Sequence, residues 1–327
     1  MRNTMERILT WVKPTWDGMH IWNYLGMYKP FMENIEWKEA FMFIPDLHSL
    51  TSVHDGDILR KNKRRLAAEI FALMPSGADV TVFEQSEVTH LNSIVWAISS
   101  VTPYSLMLRA HSFKDSQNKN TAINMATFNY PILMAADIIW YDVDMVPVWK
   151  DQKQHIEFAR DIAQNFNKTY GVDFFKLPEW YIDEQLQTIP GTDGRKMSKS
   201  YNNFIGIFDD EKILKKKIMS IETGSETLEE PKDPESCNVF ALIKFFASQD
   251  KQDDIAARYR AGWYWYGHAK LEFLDILLEY FQDAREKYKI YMDDYDMITQ
   301  KLKIGNKKAN DMIDKKHTEL KQIVWLT

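Results

Sequence analysis

Glycine is scarce in this chain: 12 in 327 residues, about half the ~7% usual for soluble domains. Cysteine is scarcer still. Cys237 stands alone, which excludes an internal disulfide and any zinc or iron–sulfur site built on several thiolates. No apolar run reaches the roughly 20 residues of a membrane-spanning helix. The opening MRNTMERILT lacks the apolar stretch and small-residue cleavage site of a secretory leader. A cytoplasmic protein is the expectation.

What is present fits a folded protein. Apolar residues make up 45% and charged residues 27%, enough to bury a core, and the length suggests two domains. A net charge of -6 argues against a surface that is basic throughout, and DNA is not an expected partner. Local basic patches stay open, because charges act over about a Debye length. Tryptophan, ordinarily rare, numbers 11. Glycine and tryptophan together reach about the ~7% that glycine alone usually supplies.

The apolar runs Ala40 to Ile44, 78–84 (ADVTVFE) and 144–149 (DMVPVW) read as buried strands. Between them RKNKRRLAAEIFALM has helical spacing. Tyr130, Met134, Asp137, Ile138 and Tyr141 fall on one helix face, and Ile156, Ala159, Ala163 and Phe166 on another. Strands alternating with helices predict an α/β domain with a parallel sheet. From about Glu211 the chain is charged and periodic, without strand-like alternation, which predicts an all-helical domain. The expected division is 1–205, with a helical insertion around 85–130, and 206–327.

The sharpest motif is Lys196-Met197-Ser198-Lys199-Ser200, preceded by Gly191-Thr192-Asp193-Gly194-Arg195. Two glycines make the loop pliable, and two lysines put mobile cations on it. Such a loop suits a pyrophosphate that gains charge as a bond to phosphorus breaks. This pentamer is the KMSKS signature of class I aminoacyl-tRNA synthetases, and GTDGRKMSKSYNN closely resembles the tryptophanyl branch. At residues 13–26, KPTWDGMHIWNYLG resembles that family's PTG turn and HIGN motif except at Trp16 and Trp22. FNYPILMAADI and VPVWKDQKQHIEFARDIA resemble its tryptophan-pocket helix and following loop. PKDPESCNVFALIKFFA and YGHAKLEFLD resemble its helical domain. The resemblance spans essentially the whole chain.

The resemblance implies a Rossmann-type catalytic domain followed by a helical anticodon-binding domain. It implies a tryptophan–tRNA ligase using ATP with Mg²⁺, L-tryptophan and tRNA(Trp), working as a homodimer. His20 and Asn23 would contact ATP at a helix start, where exposed N–H groups favour phosphate. Lys13, Pro14, Thr15 and position 22 would line the same cleft. Lys196 and Lys199 would stabilise the leaving pyrophosphate, with Met197, Ser198 and Ser200 completing the loop. Lys114 is a further phosphate candidate. Trp149, Lys150 and Asp151 would contribute to binding ATP, with Asp151 and Gln152 at the mouth of the site and Gln152 accepting from the substrate ammonium. No metal-ligand cluster is visible, as expected where phosphates supply most ligands.

Asp137 is the expected specificity residue. It stands among Tyr130, Met134 and Ile138 on an apolar face, where an unpaired carboxylate would cost several kcal/mol. An indole N–H only donates, so a buried carboxylate is a fitting partner, although a phenol could donate too. Met134, Val146 and Val148 would shape the ring slot. The bare residues leave a salt bridge to a helix neighbour as the competing role for Asp137.

The family has glycine where this chain has Trp16, Trp22 and Trp149, and commonly at the positions of Trp11, Trp37, Trp263, Trp265 and Trp325. Trp96 fits as a tryptophan, and Trp140 and Trp180 are undecided. One codon read as glycine in the source and as tryptophan here, such as UGA, would account for eight of eleven. The rival expectation is a catalytically silent, synthetase-like protein that binds RNA or a partner. Drift would remove polar catalytic groups as readily as glycines, whereas here the glycines alone are lost.

Overall fold

The computed structural model describes residues 5–14, 18–110, 124–148, 152–182 and 189–326. Among these residues, five parallel strands form one sheet in the order β3-β2-β1-β4-β5: β1 is Glu6–Trp11, β2 Lys38–Ile44, β3 Val80–Glu84, β4 Met145–Pro147 and β5 Glu179–Tyr181. Ile8 pairs with Ala40 on one side and Met145 on the other, fixing β1 at the centre. The last five residues of β2 are buried without alternation, as strands covered on both faces must be. The chain reverses its direction of winding between β1 and β4, the Rossmann arrangement. Ligands in such sheets lie in the crevice beyond the carboxyl ends of the strands on either side of that switch.

Capped helices cross between the strands. Gly56–Leu73 joins β2 to β3 and starts at Asp55, whose carboxylate accepts from the Asp57 and Ile58 N–H groups. Met125–Ile139 starts at Asn124, whose side chain accepts from Thr127 N, and passes through Pro131. After β1 the chain runs through Ile21–Asn23, a π-helical turn at Tyr24–Tyr28, and Lys29–Glu33. A π-turn inside a helix is a frequent mark of a functional position.

Beyond Glu211 all regular structure among the described residues is helical. The final helix, Tyr295–Ile323, returns to the sheet. Asn306 Oδ1 accepts from the Glu84 N–H of edge strand β3 at 2.9 Å. Gly305 permits the approach, since a Cβ there would stand 1.8 Å from the Val82 carbonyl oxygen. The helix thereby covers an edge that would otherwise offer unpaired backbone groups. Lys316, buried on the same helix, donates to the Ile139 carbonyl at 3.0 Å and pairs with Asp142. Among the described residues, no helix is long and apolar enough to cross a membrane.

The expected strands lie at Lys38–Ile44, Val80–Glu84 and Met145–Pro147, the last shorter than 144–149. Two further strands, β1 and β5, are additions to the sequence reading. Tyr141 lies past the end of the Met125–Ile139 helix rather than on its face.

Candidate active site

A cleft of about 280 Å³ opens at the carboxyl ends of β1 and β4, the switch point of the sheet. It brings together Trp11 at the end of β1, Lys13 just beyond it, Trp22 and Asn23 in the first helix, Tyr130, Val148, Gln152 and Lys199. These residues come from four segments widely separated in sequence. Val148 follows β4, and Gln152 precedes the Lys153–Tyr170 helix. Burial pulls the Lys13 ammonium below its usual range.

His20 is fully buried at the start of the first helix. Its Nδ1 accepts from Asn23 N–H at 3.3 Å, while Asn23 Oδ1 accepts from His20 N–H at 3.4 Å. This reciprocal cap fixes both side chains. Burial, with the charges of Lys199 and Lys217, pulls the imidazole down to about 3. The neutral ring, with Nδ1 accepting, carries its proton on Nε2, and that buried atom has no partner among the described residues. A buried donor without an acceptor is costly unless a ligand supplies one.

The two signature segments are tied together. His20 and Gly206 form an antiparallel bridge, with Ile21 N donating to Ile205 O at 3.0 Å and Ile207 N to Met19 O at 3.1 Å. Met19 N donates to Glu69 Oε2, and Glu69 Oε1 receives Arg65 Nε, both at 2.8 Å. Burial lifts Glu69 to about 7 despite Arg65. Lys199 Nζ reaches the Gly18 carbonyl at 3.3 Å, joining the lysine loop to the histidine segment.

Asn203 organises the loop itself. It accepts from Ser198 N at 2.7 Å and donates to Asp193 Oδ1 at 2.6 Å and to Lys196 O at 3.1 Å. Met197 is fully buried, with its N–H on Ile189 O at 2.8 Å. This anchor leaves Lys196 exposed, its Nζ 4.7 Å from the centre of the Trp22 ring. Trp22 also stacks on His20, the planes 8° apart.

Met134, Asp137, Ile138 and Val146 are buried and do not line the cleft. His48 links Asp137 to the cleft wall: its ring meets Tyr130 edge-on at 4.3 Å, and its Nδ1 lies 3.7 Å from Asp137 Oδ2. Gln85 Nε2 donates to Asp137 Oδ2 at 2.7 Å. Burial drives the Asp137 carboxyl well above its ordinary range and lowers His48 to about 4. The partners of Asp137 are therefore a glutamine amide and a neutral histidine, not a salt bridge on its own helix.

Pro14 is buried beside Lys13, and Ser198 is half-buried. Thr15, Trp16, Lys114, Trp149, Lys150, Asp151 and the Ser200 side chain lie outside the described residues. His48, Gln85, Asn203 and Glu69 were not singled out by the sequence reading. The YNN that follows the lysine loop is the one local signal that could have pointed to any of them, namely Asn203.

A family model described as tRNA synthetases class I (W and Y) matches residues 1–282. The tryptophan–tRNA ligase of Fusobacterium nucleatum is 43% identical over 322 residues, covering 98% of both chains. That of Campylobacter jejuni is 40% identical over 320 residues, covering 98% of this chain and all of that one. The crystal structure of tryptophanyl-tRNA synthetase from Campylobacter jejuni complexed with ADP and tryptophan superposes with a TM-score of 0.92. It covers 97% of this chain and 99% of that one at 40% identity.

Proposed function

The chain belongs to the class I tRNA synthetases of the tryptophan and tyrosine type, and from that premise we infer how its cleft performs the work of a tryptophan–tRNA ligase. The observation that carries the reading is the junction of Lys199 with the Gly18–Asn23 segment at the sheet's switch point. There, ATP and L-tryptophan give tryptophanyl-adenylate and pyrophosphate, and the tryptophanyl group then passes to tRNA(Trp).

The tryptophan carboxylate attacks the α-phosphorus, and the bond to the β,γ-pyrophosphate breaks in line. Lys196 and Lys199 meet the charge that grows on the leaving group. Neutral His20 donates from Nε2 to a nucleotide oxygen, which satisfies that buried atom. Lys13 and Asn23 line the nucleotide side, and Gln152 accepts from the substrate ammonium. Tyr130 and Val148 face the ring from the cleft wall, with Met134, Ile138 and Val146 packed in the core behind them, and Asp137, held by Gln85 behind that wall, is the acceptor proposed for the indole N–H. Mg²⁺ would come with the nucleotide and be held mainly by phosphate oxygens; among the described residues no group of three His, Cys, Asp or Glu gathers.

The 206–327 helices would read the anticodon, and the protein would act in the cytoplasm as a homodimer. Exposed Trp96 and Tyr104, beside the helix that carries Tyr130, and Met125 at that helix's start support a second copy there. Of the lysine clusters at 215–217, 307–308 and 315–316, Lys217 pairs with Asp209 and Lys316 is buried. Lys215 and Lys216 are exposed and fit an RNA backbone. A silent synthetase-like protein is not favoured, because Lys196, Lys199, Asp137 and Gln152 are all in place. Charging of tRNA(Trp) with labelled tryptophan, against tyrosine, tests the assignment; charging with tyrosine alone would overturn it.

A further inference from the structure

We infer that the natural polypeptide carries glycine, not tryptophan, at positions 37, 263 and 325, and by the same decoding at 11 and 22 in the cleft. Six non-glycine residues among those described have positive φ. Three are His90, Asp142 and Asn202, of the residue types that tolerate it. The other three are Trp37 (φ 62°), Trp263 (φ 61°) and Trp325 (φ 60°). A bulky aromatic in this region is strained, whereas glycine enters it freely.

The local hydrogen bonds identify glycine sites independently of φ. At the end of the Tyr295–Ile323 helix, Leu326 N donates to Lys321 O at 2.9 Å and Trp325 N to Gln322 O at 3.3 Å. These are the two bonds of a Schellman motif with Trp325 at its left-handed position, where glycine is strongly preferred. The Lys153–Tyr170 helix closes with Gly171 at φ 65°, so one fold ends two helices on the same backbone conformation with different residues. Trp37 is the third residue of a turn in which Lys38 N donates to Ile35 O at 3.0 Å, a place where positive φ calls for glycine. Trp263 follows Gly262, itself at φ 78°.

The three indoles stand mostly in solvent. Their exposures are 85%, 69% and 87%, against the usual deep burial of tryptophan. Trp11 and Trp22 instead occupy the cleft, Trp11 tilted against Phe43 and Trp22 layered over His20 and beneath Lys196. Glycine at both would uncover the groups that face the nucleotide. UGA, one base from the tryptophan codon UGG and one base from the glycine codon GGA, accounts for every position at once.

The gene and its product test this directly. UGA codons at 37, 263 and 325, with glycine in the corresponding peptides of the protein from its source by mass spectrometry, are expected. UGG codons, or tryptophan in those peptides, would overturn the inference. A second arm uses the chain as written: Trp37→Gly/Trp263→Gly/Trp325→Gly should raise the denaturant midpoint. Trp96→Gly, inside the Leu91–Ser99 helix, should lower it. A triple variant that unfolds no later than its parent would contradict the assignment. Neither arm reads ligase activity, so both stand apart from the functional reading.

Discussion

Gln85 and Asp137 form one buried polar unit 52 residues apart in sequence, joined by a 2.7 Å hydrogen bond and closed off from solvent. The glutamine holds the carboxyl in one orientation, so its remaining acceptor capacity is available to a single donor. Asp137→Asn keeps the shape and loses much of that capacity. Unmaking a buried hydrogen bond costs about 1–3 kcal/mol, so KM for tryptophan should rise roughly 5- to 150-fold. Steady-state adenylate formation checks this, and an unchanged KM would remove Asp137 from the pocket. Kinetic predictions are best read in a chain carrying glycine at 11, 16, 22 and 149.

Lys199 joins the lysine loop to the segment before His20, and Lys196 stands beside the position 22 ring. Removing either charge withdraws stabilisation that matters chiefly as pyrophosphate leaves. Lys196→Ala and Lys199→Ala should each lower kcat of adenylate formation about 10²- to 10³-fold, with smaller changes in KM for ATP. Rapid-quench measurement of the first turnover separates chemistry from release.

His20 should stay neutral across the working pH range. Its imidazole is lowered from 6.5 to about 3, mainly by burial. The His20 ring signals in NMR should show no inflection between pH 5 and 8; an inflection near 6.5 would mean an exposed ring. Because the folded value lies below the unfolded one, the contribution of His20 to stability is present above pH 6.5. It is lost as pH falls toward 3.

Glu69 runs the other way. Its carboxyl is raised from 4.5 to about 7 by burial, against the pull of Arg65. The folded state therefore binds the proton more tightly, and stability falls as pH rises from about 4.5 through 7. The contribution is of order 3 kcal/mol. Glu69→Gln should flatten that part of the pH–stability curve in urea unfolding, with Met19 still tied by an acceptor oxygen.

Much of this architecture can be read from the residues. The buried strands at Lys38–Ile44 and Val80–Glu84 are continuous apolar runs, and the lysine loop has its own signature. β1 escaped because Glu6–Trp11 offers only Ile8 and Leu9 as adjacent apolar residues between charged and polar ones. β5 is three residues long and lies at the sheet's edge. Periodicity marks the apolar face of Tyr295–Ile323 but cannot say that the face covers β3, since contact depends on where the chain returns in space. His48 and Gln85 carry no local pattern; they become site residues only when folding brings them to Asp137. The glycine scarcity was visible at once, but only the backbone shows that Trp37, Trp263 and Trp325 sit where glycine belongs.

The most direct test of the central claim is amino-acid-dependent ATP–pyrophosphate exchange, run with tryptophan and tyrosine side by side. The chain to use carries Trp11→Gly, Trp16→Gly, Trp22→Gly and Trp149→Gly. Exchange with tryptophan and none with tyrosine is the predicted result. Exchange driven by tyrosine, or silence with both amino acids in a folded protein, would contradict the account.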